Sequence, residues 1–195
     1  MLMLVSESKI KWQKFISGDN DAYSWLYTVY VQKLFQYGLR FTSNTEIVKD
    51  SIQEVFIQLY KSREHLTVPE NVSLYLFVSL KNNLIRTLYK EAAYDSFDPE
   101  IVRFSLDIPT VEEQYIDNEQ YANQRKEVKK ILSLLTPRQK EIIYYRYIQE
   151  LSMDEICVLM NLNYQSAENL IQRSLKKVRK SYVSVELFLL ILSVY

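Results

Sequence analysis

Apolar residues recur at intervals of three and four along most of this chain, the period of an α-helix with one buried side. From Ser8 to Ser17 that side comprises Ile10, Trp12, Phe15 and Ile16, and Gly18, Asp19 and Asn20 then break the pattern. It resumes in AYSWLYTVYVQKLFQYGLRF, with Tyr23, Leu26, Tyr27, Tyr30, Leu34 and Tyr37 at helical spacing. So aromatic a stripe reads as a packing surface rather than a ligand cage. Ser43, Asn44, Thr45 and Glu46 form a capping box, a serine three residues before a glutamate, each satisfying a backbone N–H of the other's turn. The helix it opens runs to about Arg63 and buries Val48, Ile52, Val55, Phe56 and Leu59. Pro69 disfavours helix at Val68, so Glu64 to Asn71 is a loop before a further helix from about Val72 to Lys90.

The second half repeats the habit with sharper punctuation. Asn123 to Leu135 begins a domain, Thr136 caps the next helix, Pro137 takes its first position and Gln139 closes the box. Ile142, Ile143, Tyr145 and Tyr147 are candidates to support the stretch LSMDEICVLMNLNYQSAENLIQRSLKKVRK. It opens on a capping box of Ser152 and Glu155 between the staple positions Leu151 and Ile156. A short helix to about Met160 ends at Asn161, a residue suited to a left-handed turn. Leu162 plugs the gap between helices and Asn163 caps the next one. There Ala167, Leu170, Ile171, Ser174 and Val178 make the buried stripe. Gln165, Glu168, Asn169, Gln172, Arg173 and Lys176 fall opposite. This is a helix-turn-helix by pattern.

The composition fits an all-α chain: 195 residues, 48% hydrophobic, with two Gly and four Pro. A net charge of zero conceals a strong separation. Glu91 to Tyr121 carries nine acidic residues and one basic, whereas Arg173 to Lys180 carries five basic and no acidic ones. The single cysteine, Cys157, excludes an intramolecular disulfide and reads as a packing residue. With His65 the only histidine, neither a multi-histidine metal site nor a histidine triad with a second such group can be assembled. No cofactor is implied. The N-terminal MLMLVSESK has no basic segment ahead of its short apolar run, so a cytoplasmic chain is expected.

Three faces carry the candidate chemistry. Asp50, Gln53 and Glu54 share one side of their helix. As paired carboxylates they could suggest acid–base work, but a polar recognition patch is the better reading. From Val72 to Lys90, Tyr75, Phe77 and Tyr89 alternate with Lys81, Asn82, Asn83, Arg86 and Lys90, the mixture that stacks single-stranded bases and holds phosphates. In the helix-turn-helix, amides can read base edges while Arg173, Lys176, Lys177, Arg179 and Lys180 suit the phosphate backbone.

The run DSIQEVFIQLYKSREHL resembles the D-x-x-Q-E-x-F signature of sigma region 2, and SLYLFVSLKNNLIRTLYK resembles the aromatic, basic helix beside it. LLTPRQKEIIYYRYIQELSMDEICVLMNLNYQSAENLIQRSLKKVRK is similar to sigma region 4. In this order they resemble an extracytoplasmic-function (ECF) sigma factor of bacterial RNA polymerase. The resemblance implies two small helical domains, region 2 over 5–91 and region 4 over 122–182. An acidic linker over 92–121 joins them, and an apolar extension over 183–195 comes last. It implies that Asp50, Gln53, Glu54 and Phe56 dock on core RNA polymerase. His65, Thr67 and Asn71 of the loop, with Tyr75, Lys81, Asn82, Arg86 and Lys90, would contact the −10 element of promoter DNA, the loop capturing a flipped base. Tyr164, Gln165, Ser166, Glu168, Asn169, Gln172, Arg173 and Lys176 would read the −35 element. An anti-sigma factor is implied as a further partner.

Three departures from the family pattern stand out. The helix of Tyr75 lacks a tryptophan common there, Glu168 replaces a basic residue, and Asn161 replaces a glycine. The acidic linker, through Glu112, Glu113 and Asp117, reads either as a phosphate mimic or as a solvated tether. The tail from Val183 to Tyr195 is apolar but short of the ~20 residues of a membrane span, so it is expected to pack on a domain or partner. Two other readings stay open. One is a LuxR-type regulator, which shares LTPRQKEI and the helix-turn-helix. The other is a helical hydrolase using Asp50 and Glu54.

Overall fold

The computed structural model describes residues 2–94, 104–106 and 130–181, and every regular element among them is helical. Most of the linker and the apolar tail, with the expectations placed on them, lie outside the described residues. The chain divides into two compact units, one ending at Arg103 and the next starting at Phe104.

The first unit is built from α1 (Leu2–Ile16), α2 (Asn20–Gly38), α3 (Thr45–Lys61), a 3-10 turn (Arg63–His65) and α4 (Val72–Tyr94). α1 starts well before Ser8 and α4 runs past Lys90, so both helices exceed their predicted lengths. Gly18, at φ 102°, makes the turn between α1 and α2, where Asp19 accepts the amide of Ala22. The core holds Trp12, Phe15, Leu26, Tyr30, Leu34, Tyr37, Val48, Ile52, Val55, Phe56, Leu59, Leu76, Leu80 and Leu84. Three expectations need correcting. Ile10 is 51% exposed, because two residues before Trp12 it points to the other side of α1. Ser8 takes its place inside, sharing a 2.8 Å hydrogen bond with the Tyr30 hydroxyl. Tyr27 is 43% exposed and covers the edge of Phe56 with its ring, centroids 5.0 Å apart. And α3 is capped by Asn44, whose side chain accepts the amides of Glu46 and Ile47, not by Ser43. Glu46 therefore does not reach back; it pairs with Lys49 at 2.7 Å, which holds its carboxyl below the usual range.

Where α2 ends, it approaches α3 so closely that only glycine fits. A Cβ on Gly38 would lie 2.6 Å from Cγ1 of Val48. Gly38→Ala is expected to destabilise the first unit by about 1–3 kcal/mol through overpacking. Urea unfolding is the measurement. Paired with Val48→Ala, the added methyl should become neutral or better, which identifies the clash as the cause.

In the second unit, helical residues 130–133 lead to α5 (Pro137–Ile143), a π-helical turn (Tyr144–Ile148), α6 (Met153–Met160) and α7 (Tyr164–Ser181). Both capping boxes form as the sequence predicts, Thr136 with Gln139 and Ser152 with Glu155. Each contributes about 1 kcal/mol. The π turn has no counterpart in the sequence pattern. It adds a residue to the turn, which shifts the register so that Tyr144 and Tyr145 face inward while Tyr147 stays half-buried. Glu150 then takes a left-handed conformation, φ 52°, and Arg146 donates to the Leu151 carbonyl at 3.0 Å.

The composition of the acidic segment predicts that it packs no core, yet Phe104 and Leu106 are buried in this second unit. The Phe104 ring lies 5.3 Å from that of Tyr144 and 6.1 Å from that of Tyr145. Local charge averages conceal two apolar residues spaced to face the same way.

Candidate nucleic-acid interface

The turn of the helix-turn-helix is set by backbone geometry. Asn161 has φ 49° and ψ 56°, the left-handed conformation expected of it, and its amide donates to Cys157 and Val158. The amide of Leu162 returns to the Cys157 carbonyl at 3.0 Å, with the Leu162 and Cys157 side chains both half-buried. Asn163 caps α7 by accepting the amide of Ser166 at 2.8 Å. α7 then packs through Ala167, Ile171, Ser174, Leu175 and Val178; Leu170 is only half-buried at the edge of the stripe.

That packing leaves Gln165, Glu168, Asn169, Gln172, Arg173 and Lys176 exposed together, with Tyr164 55% exposed at the start of the helix. Ser166 is half-buried, and its backbone amide donates to the Asn163 cap. Gln165 and Asn169 share a 3.4 Å side-chain bond, and Arg173 donates to the Asn169 carbonyl at 3.2 Å. Lys177 departs from the expected phosphate-binding row. Its ammonium donates to the Leu134 carbonyl at 3.3 Å and to Gln139 Oε1 at 3.0 Å. It ties α7 to the cap of α5.

In the first unit, the loop between the 3-10 turn and α4 is held from both sides. The Trp12 indole N–H donates to the Thr67 carbonyl at 3.1 Å, and the ring meets Tyr75 edge-on at 5.1 Å. At the far end Asn71 accepts the amide of Leu74 and so caps α4. His65 and Thr67 are exposed; Asn71 and Tyr75 are half-buried. Behind the loop lies an open groove of about 270 Å³ whose lining includes Val55, Leu59, Tyr75, Asn82, Asn83 and Arg86.

Tyr75, Asn82, Arg86 and Lys90 thus share a side of α4, while Lys81, about 100° around the helix from Asn82, leaves that face. Asn83, one of the polar residues that the alternation groups with Asn82 and Arg86, is buried at 8% exposure and lines the groove instead of the outer face.

On α3, Asp50 and Gln53 are exposed and Glu54 is half-buried, accepting from Gln58 at 2.6 Å. Phe56, expected beside them, is 2% exposed and faces the core. Two residues from Glu54 it points to the opposite side of the helix, so it lies off the face expected to dock. The same helix also exposes Ile57 and Tyr60, and the Tyr60 ring carries the Arg63 guanidinium 5.3 Å from its centroid. Beneath, the Tyr23 hydroxyl donates to the Phe56 carbonyl at 3.0 Å. Burial first, then Tyr27 and Tyr60, pushes the Tyr23 phenol up, so it stays a donor. Among the described residues no group of three His, Cys, Asp or Glu side chains could hold a metal ion.

One compact unit thus contains a helix-turn-helix, and the other is a helical unit with its own loop and groove. Residues 26–94 match the family Sigma-70 region 2, and residues 125–178 match Sigma-70, region 4. The ECF RNA polymerase sigma factor SigW of Bacillus subtilis is 24% identical over 84% of this chain and 90% of its own.

Solved structures that share the fold include two in complex with a partner. CnrH, in complex with the cytosolic domain of CnrY, has TM-score 0.56 and 18% identity, covering 89% of this chain and 95% of the other. The sigma factor RpoE, with the anti-sigma factor NepR from Bartonella quintana, has TM-score 0.58 and 14% identity, covering 81% and 94%.

The chain belongs to the sigma-70 family and is an RNA polymerase sigma factor of the ECF type, a transcription initiation factor. The LuxR-type reading is corrected: the shared helix-turn-helix is part of region 4, and the residues before it match region 2.

Proposed function

We propose that this chain directs core RNA polymerase to −10 and −35 promoter elements and assists DNA melting, with its two units dividing the work. The region 2 domain (5–91) docks on the polymerase through Asp50, Gln53 and Glu54. It engages the −10 strand through His65, Thr67, Tyr75, Asn82, Arg86 and Lys90, with Asn71 shaping the loop. The groove behind that loop, lined by apolar, amide and cationic groups, suits an extruded base. The region 4 domain (122–182) lays the exposed face of α7 along the −35 element. The intervening 92–121 is the linker, with 104–106 held by the second unit. The chain has no catalysis of its own, works in the cytoplasm and is controlled by an anti-sigma factor. Among the described residues no helix is long and apolar enough to cross a membrane.

The observation that carries this reading is the order of the two matches, region 2 before region 4, on two separate compact units. The test is reconstitution. Added to core bacterial RNA polymerase, the purified protein should yield an enzyme that initiates on promoters selected from random DNA. Binding should weaken steeply with salt as phosphate contacts release counterions. No association with the core enzyme, together with duplex binding by the free protein, would overturn it.

A further inference from the structure

We infer that Glu168 makes the −35 reader select cytosine at one position of its element; the inference rests on the proposed role of α7. The charge along this helix is sharply divided. From Tyr164 to Gln172, Glu168 is the only charged residue, and all five cations lie between Arg173 and Lys180. In a helix-turn-helix the N-terminal part of the second helix meets base edges. The acid thus lies in the half that reads, and the cations other than Lys177, which is held by Leu134 and Gln139, lie in the half suited to phosphates.

Placement supports the same division. At about 100° per residue, Gln165, Asn169, Gln172 and Lys176 fall within about 60° of arc, opposite the buried stripe. Glu168 stands about 40° beyond Gln172 on one shoulder, and Arg173 about 40° beyond Asn169 on the other. Glu168 is exposed, and among the described residues no ion pair neutralises its carboxylate. The nearest cation in sequence, Arg173, stands on the other shoulder and donates to the Asn169 carbonyl.

A bare carboxylate in the major groove is repelled by the phosphates on both sides and by every base-edge acceptor. Guanine presents N7 and O6, and thymine O4, so both repel it. Adenine offers its N6 amine beside the N7 acceptor, which an amide side chain satisfies and a carboxylate does not. Cytosine presents the N4 amine as a donor with no acceptor of its own in that groove. It is the base that turns the negative charge of Glu168 from a cost into a contact. The neighbouring Gln165, Asn169 and Gln172 amides suit adenine instead, so the acid sets a position unlike its neighbours.

The experiment is selection from DNA randomised across the −35 region, using holoenzyme reconstituted from core bacterial RNA polymerase and the full chain. Wild type should fix cytosine at one position by about tenfold over other bases. Glu168→Ala should lose that preference alone and keep the others, while Glu168→Gln should move it toward adenine. Because Glu168 is exposed, both variants should unfold in urea with wild-type midpoints. Identical profiles for wild type and Glu168→Ala overturn the inference while leaving α7 as the −35 reader. Relaxation at a position where wild type had chosen another base overturns it too. A wild-type profile with no selected −35 position overturns the role of α7, and the inference with it.

Discussion

Replacing Trp12 by alanine is expected to cost the first unit about 3–5 kcal/mol and to abolish promoter opening. The indole is fully buried, 55 residues before the loop it holds, and its N–H is bonded to the Thr67 carbonyl. The alanine variant alone cannot separate an unfolded unit from a released loop. Trp12→Phe does, since the smaller ring keeps much of the packing and loses the donor. That variant should lose about 1 kcal/mol for the missing hydrogen bond, and more if the carbonyl is left buried and unpaired. It should still bind core polymerase, because the face of α3 proposed to dock is untouched. Open-complex formation should fall severalfold, as the loop carrying His65 and Thr67 is no longer fixed against α1. Strand opening, tracked by the reactivity of unpaired thymines near −10, is the readout. Wild-type opening rates in a folded Trp12→Phe variant would show that the bond does not position the loop.

The second large effect concerns docking. Asp50→Ala combined with Glu54→Ala should weaken association with core polymerase by about 3–4 kcal/mol, on the order of 10²–10³-fold in Kd. Initiation should fall with it. Stability should stay within about 0.5 kcal/mol of wild type, because Asp50 is exposed and Glu54 bonds only along its own helix to Gln58 among the described contacts. Titration of labelled chain into core enzyme, beside urea unfolding, separates the two quantities. Phe56→Ala would be a poor substitute for this test. Its ring packs against Tyr23 and Tyr27, so any loss of docking would stem from loss of the fold. Unchanged affinity in the double variant would move the docking face elsewhere, with exposed Ile57 and Tyr60 the first residues to examine.

Much of this is legible in the sequence because the relevant physics is local. Helical period, capping boxes and the left-handed asparagine each depend on residues within four or five positions of one another. Thr136 with Gln139, Ser152 with Glu155, Asn161 and Asn163 accordingly behave as their spacing predicts. The exposed face of α7 comes from the same periodicity, as does the side shared by Asp50, Gln53 and Glu54. Where local signals compete, the sequence is ambiguous: Ser43 and Asn44 could both cap, and the closer fit of Asn44 to two amides decides it.

What only the tertiary structure decided involves partners far apart in the chain. No local pattern pairs Trp12 with Thr67, turns Lys177 from phosphate to Gln139, or packs Phe104 of an acidic stretch against Tyr144. Periodicity tells which residues share a side but not how deep that side is covered, so it puts Tyr27 and Ile10 inside and counts buried Asn83 among the outward polar groups. Burial depends on what the other helices bring, and a π turn can shift that register by one residue without any mark in the sequence. The sequence by itself determined the helices, their caps and the surfaces they present. The three-dimensional packing decided which of those surface residues are free to meet another molecule, because each hydrogen bond made inside the fold removes a group from recognition.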